Sequence, residues 1–197
     1  MSKIIAIMLL LCFGMMLFGC TNDNGGRKAG RQKTIVVTDS VGRKVELPYP
    51  LERVAVCNVY NAELITAVGA IDKIVGVDNY IFKDQSGFKN RFNEAQVFGI
   101  SQNAMNYEKL AELEPQAVII TGEGTWRDAQ EMLDRFGIKV IVINSYYTDQ
   151  FADNCRLIGR IFGREEQAEE LVNYFNDKLA YIPVSYTHLR AHETSQD

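Results

Sequence analysis

The sequence predicts an α/β fold, a parallel sheet with helices on both faces, continued by a long connecting helix. Three observations predict it. First, short uninterrupted runs rich in β-branched residues, such as Val54-Ala55-Val56-Cys57, Ala117-Val118-Ile119-Ile120 and Val140-Ile141-Val142-Ile143, read as strands buried on both sides. Second, segments with helical spacing alternate with these runs, and such alternation means parallel strands joined by crossover helices. Third, polar loops follow the runs, as at Thr121-Gly122-Glu123-Gly124. In open α/β sheets, loops at the carboxyl ends of the strands are where ligands bind.

Taken in order, Met1 to Cys20 reads as an export signal: Lys3 gives a positive start and Ile4 to Phe18 an apolar core. That core is shorter than the roughly 20 apolar residues a membrane span needs. Leu17-Phe18-Gly19-Cys20 resembles a bacterial lipobox, which implies cleavage before Cys20 and lipidation of its thiol. Residues 1–19 are then the signal peptide and 20–33 a polar tether containing Gly25-Gly26.

Thr34–Val37 and Lys44–Leu47 form two short strands around Asp39-Ser40-Val41-Gly42, a hairpin turn signal, and Pro48 and Pro50 end it. After the strand at Val54–Cys57 comes a helix over Ala62–Val68, closed by Gly69, and then a strand over Ile74–Val77. Asp78 to Glu94 has no clear period and reads as loop with room for one short helix. A short apolar piece ends at Gly99-Ile100-Ser101, and Gln102 to Asn106 is a polar loop. Tyr107–Leu113 is a helix with Leu110 and Leu113 on one face; Pro115 stops it.

Beyond the strand Ala117–Ile120, Arg127–Phe136 reads as a helix with Met132, Leu133 and Phe136 inward, capped by Gly137. Val140–Ile143 is the fifth sheet strand. Asp149–Phe162, capped by Gly163, and Glu165–Tyr181 are the last helices; in the second, Ala168, Leu171, Val172, Phe175 and Leu179 recur at helical spacing. Residues 34–149 thus form one lobe and 150–183 the helices that follow it.

Several function classes find little support. A net charge of −4 offers no electrostatic case for nucleic acid. The only histidines, His188 and His192, lie near the carboxyl end, so no metal site and no cofactor is expected. No Gly-x-Ser-x-Gly, paired-carboxylate or Cys-His pattern stands out for catalysis. Gly122-Glu123-Gly124-Thr125-Trp126-Arg127 follows a strand, but its third glycine is replaced by Arg127, and Asn144 stands where a ribose-binding acid is wanted. Cys57 and Cys155 read as two unlinked apolar thiols, with a disulfide as the alternative.

The order Gly99-x-Ser101, short loop, Asn106-x-Glu108-Lys109-Leu110, Glu114-Pro115-x-x-Val118-Ile119-Ile120 resembles the amino-terminal lobe of solute-binding proteins serving ABC importers of ferric siderophores, haem and cobalamin. Leu51-Glu52-Arg53-Val54-Ala55-Val56 and Ile158-Gly159-Arg160-Ile161-Phe162-Gly163-Arg164-Glu165 match the same family, and the resemblance runs from about Thr34 to Ile182. It implies that Glu165–Tyr181 is the strut between two lobes and that a second lobe would follow. Val184–Asp197 instead resembles the adaptor-derived tail of translated metagenomic fragments, and is read as foreign.

The resemblance also implies a set of ligand contacts at the strand ends. These are Asn58 and Tyr60 after the first sheet strand, Tyr80 after the second, Ser101 and Asn103 after the third. Glu123 and Trp126 follow the fourth, and Tyr146 and Tyr147 the fifth; the last two could equally cover the sheet edge. Aromatic rings would suit flat or catecholate ligands, giving large, stiff contact area. Glu108 matches the acidic residue offered to a permease, although a solvated first-turn glutamate explains it as well.

The expectation is therefore a monomeric, non-enzymatic receptor, lipid-anchored outside the cytoplasm. It would pass a metal chelate to an ABC permease, with ferric siderophore ranked before haem or cobalamin. A surface-anchored α/β enzyme using the same loops is the alternative, and a protein-binding scaffold a third.

Overall fold

In the computed structural model the structure describes residues 33–180. The expected export signal, Cys20, nearly all of the tether and the 184–197 tail lie outside the described residues. Seven strands are present among them: β1 (Thr34–Thr38), β2 (Lys44–Pro48), β3 (Val54–Val56), β4 (Ile74–Asp78), β5 (Val97–Gly99), β6 (Ala117–Ile120) and β7 (Lys139–Val142). Six helices accompany them: α1 (Val59–Ala67), α2 (Asn79–Lys83), α3 (Tyr107–Glu112), α4 (Trp126–Asp134), α5 (Phe151–Phe162) and α6 (Glu165–Ala180).

β1 and β2 pair antiparallel as a hairpin, and the other five form one parallel sheet in the order β5-β4-β3-β6-β7. The chain starts in the middle at β3, works outward through β4 to β5, then returns to the other side of β3 for β6 and β7. A crevice therefore opens between the carboxyl ends of β3 and β6, where the winding direction reverses.

The central strands β3 and β6 are apolar and buried at every position because both faces are covered. Val54 and Val56 of β3 face one core and Ala55 the other; Ala117 and Ile119 of β6 alternate with Val118 and Ile120 in the same way. The larger core joins the sheet to α1, α2, α5, α6 and the hairpin through Ile65, Ile81, Ile158, Val172 and Leu47. The smaller joins it to α3 and α4 through Leu110, Ala129 and Leu133. Each buried leucine, isoleucine or valine among these contributes about 1.5–3 kcal/mol by leaving water. Cys57 lies in the smaller core and Cys155 in the larger. They are unlinked and buried on opposite faces.

Several expectations need revision. α1 begins at Val59, earlier than the apolar pattern suggested, because the Asn58 side chain accepts the Tyr60 amide and starts the helix there. The stretch without a period holds the one short helix expected of it, α2 on the Asp78 cap; the revision there is that Phe88 and Phe92 are buried against the larger core. Phe136, expected inward, is 46% exposed, since α4 ends at Asp134 and no longer aims that ring at the sheet. α5 starts at Phe151 after a 3-10 turn over Thr148–Gln150, and left-handed Gly163 ends it as expected. Along α6 only Ala168 and Val172 are buried; Leu179, placed on the apolar stripe, is 46% exposed because the helix has run past the core by then.

Candidate functional site

Loops from four of the five sheet strands meet in a cleft of about 670 Å³ at the carboxyl edge, centred on the reversal point. Asn58, Tyr60 and Glu63 line it from the start of α1, and Asp78, Tyr80 and Ser86 from the α2 side. Ser101, Gln102 and Asn103 close it beyond β5, and Thr121, Glu123 and Gly124 beyond β6. Size and position fit a small-molecule site.

Asp78 organises the floor. Its carboxylate accepts the Ile81 amide at 2.9 Å, capping α2, and the Asn58 amide at 3.1 Å, tying the end of β4 to the end of β3. Burial pushes the Asp78 carboxyl above its ordinary range, while amides of Ile81, Asn58 and Tyr80 pull it down. The buried Cys57 thiol beside it is held well above its usual value, by burial first and the Asp78 charge second. Asn58 has φ 76°, rare for a residue with a side chain, and holds it through the Asp78 tie and its own bond to Tyr60. The result is that Tyr60 and Tyr80 are presented from adjacent helix starts, 55% and 62% exposed.

The opposite wall is a pair of loops fastened by Gln102. Its side-chain oxygen accepts from the Thr121 amide at 3.0 Å and hydroxyl at 2.8 Å, and its amide nitrogen donates to the Glu123 carbonyl. Thr125 Oγ1 adds bonds to the Gln102 carbonyl and to Asn103 Oδ1. Gly124 has φ 86°, and a Cβ there would lie 2.5 Å from Asn103 Oδ1, so only glycine lets the loops close this far. Asn144 braces the β6 loop from behind by accepting the Gly122 amide at 2.7 Å.

Of the expected ligand contacts, Asn58, Tyr60, Tyr80, Ser101, Asn103 and Glu123 converge on this cleft. Trp126 does not line it. It already belongs to α4, packs against the smaller core, and is stacked by the guanidinium groups of Arg43 and Arg127, each 4.2 Å from its ring. Tyr146 stands at the margin: its hydroxyl donates to Glu123 Oε1 at 3.0 Å, and its ring lines a neighbouring groove between α1 and α6. Burial, with Tyr147 and Glu123 alongside, holds the Tyr146 phenol well above its ordinary range. Glu108 is exposed in the first turn of α3 and does not line the cleft. Sequence reasoning passed over Glu63, Asp78, Ser86, Gln102 and Thr121. An acid where a strand gives way to a helix start, as at Asp78, was the one available signal.

A family profile described as periplasmic binding protein matches residues 54–186. The chain belongs to the periplasmic binding protein family. Among solved structures, a periplasmic solute binding protein from Veillonella parvula is 27% identical with a TM-score of 0.63; the match covers 76% of this chain and 47% of that one. Staphylococcus aureus SirA complexed with staphyloferrin B is 20% identical with a TM-score of 0.61, covering 75% and 48%. The Haemophilus influenzae molybdate periplasmic binding protein MolA is 21% identical with a TM-score of 0.60, covering 77% and 55%. The latter two establish shared fold only. The chain spans about half the length of these periplasmic binding proteins. No curated protein matches it significantly.

Proposed function

We propose that the chain is the amino-terminal half of an extracytoplasmic substrate-binding protein that captures a metal chelate for an ABC permease, an iron–siderophore complex foremost. The carrying observation is the convergence of four strand-end loops on one cleft with two exposed tyrosines. Its 670 Å³ suits a bulky complex. One fold neighbour is complexed with staphyloferrin B, which puts siderophores first among the ligands to test. Anchoring through Cys20 and docking through Glu108 belong to the same reading: the first would keep the receptor beside its permease, the second would fix its orientation there.

Calorimetric titration with ferric siderophores, haem and cobalamin tests the ligand. Saturable binding without turnover is expected, weakened at least tenfold by Tyr60→Ala or Tyr80→Ala, as loss of an aromatic contact implies. Trp126→Ala should leave it unchanged. Turnover of a bound compound would favour an enzyme instead. Glu108→Lys should impair transport and spare binding; loss of binding would contradict the docking role.

A further inference from the structure

We infer that this cleft selects a cationic or uncharged chelate and rejects an anionic one. The inference rests on the receptor reading and deepens it. Three acids, Glu63, Asp78 and Glu123, stand among the lining residues, and no lysine or arginine does. Among the described residues, none of the three forms an ion pair. Glu63 and Glu123 are exposed, so their charge is presented to whatever enters.

Cations on the neighbouring segments do not line the cleft: Arg127 stacks on Trp126, and Lys89 and Arg91, beyond Ser86, are exposed. Arg43 grips Asp39 at 2.7 Å and covers Trp126, while Lys83 and Lys109 line a separate groove outside β5. The positive end of α1 does not compensate either. Asn58 Oδ1 takes the Tyr60 amide and Asp78 takes the Asn58 amide, so those donors face protein acceptors. Tyr60 and Tyr80 add to the same preference, because aromatic faces attract cations and repel anions. The remaining polar groups are amide and hydroxyl side chains that serve a neutral complex equally well.

The test is titration of the full chain by calorimetry with three probes. These are a monocationic ferric trihydroxamate, an uncharged ferric trihydroxamate and a trianionic ferric tricatecholate. Affinity is expected to fall in that order, and salt to weaken only the cationic complex. Glu63→Gln and Glu123→Gln should each weaken the cation about fivefold, the worth of one charge pair about 4 Å apart in water-like surroundings. The double variant should strengthen the anion correspondingly. Circular dichroism on each variant verifies that it is folded. Tighter binding of the tricatecholate, or an order unmoved by both substitutions, overturns the charge inference and leaves the receptor reading standing. Absence of binding by all three, and by haem and cobalamin as well, overturns the receptor reading itself.

Discussion

Replacing Asp78 with alanine should destabilise the fold and disable the cleft together. The carboxylate accepts two buried amides, at 2.9 and 3.1 Å. A bond to a charged group contributes about 1.5–3 kcal/mol, so the pair gives about 3–6 kcal/mol before the burial of the charge is counted. Burial dominates the upward shift of this acid, so much of that gain is already offset. A net loss of about 2 kcal/mol remains, or about 4–8 °C in Tm for a domain of this size. Asp78→Asn keeps one acceptor and should lose less, with a diagnostic pH dependence. A carboxyl whose folded pKa is raised contributes stability that is present below the unfolded pKa and lost as pH rises through the folded one. The deficit of the asparagine variant should therefore be largest near pH 4 and shrink toward pH 7. Urea unfolding at both pH values measures it. A deficit that grows with pH, or an alanine variant as stable as the parent, would refute this account of the floor.

Three further outcomes follow from the geometry. Gln102→Ala unfastens the β5 and β6 loops and leaves the Thr121 amide without its side-chain acceptor, costing about 1–3 kcal/mol; thermal unfolding should show the drop, and proteolysis should begin near Gly124. At the α5–α6 contact, Gly159→Ala gains about 1 kcal/mol of helix propensity. Its Cβ would meet Ala168 Cβ at 2.5 Å and the Arg164 carbonyl at 2.9 Å, an overlap costing about 1–3 kcal/mol, so a lower Tm is expected and a higher one would show that the helices move apart freely. Burial pushes the Cys155 thiol up to about 12 and Cys57 well above its usual value, so neither should react with a thiol reagent at pH 8 until denaturant is added.

The sheet was legible because burial on both faces leaves few polar positions in its strands, and β6 and β7 could be read almost to the residue. Strand order was not legible, since nothing local in Val54–Val56 says that β4 and β6 flank it. Residues 78–96 resisted for a related reason. Phe88 and Phe92 are held by contacts to distant elements, which leave no local period. Six of the residues chosen by the strand-end rule line the cleft, but the rule overreached at Trp126, the first residue of a helix, where the turn carries the side chain to the far face. Gln102 went unnoticed because its importance lies in what it fastens, and polar loop residues look alike until their partners are known.

Trp126 is the single tryptophan of the chain, and its position decides what an optical experiment on this protein would see. Arg43, which stacks on it, belongs to the connection between β1 and β2 and is bonded to the carbonyl of Val140 in β7. Indole emission should accordingly track detachment of the amino-terminal hairpin. Arrival of a guest between Tyr60 and Tyr80 would register in the phenolic band instead, so one spectrum could follow two separate events.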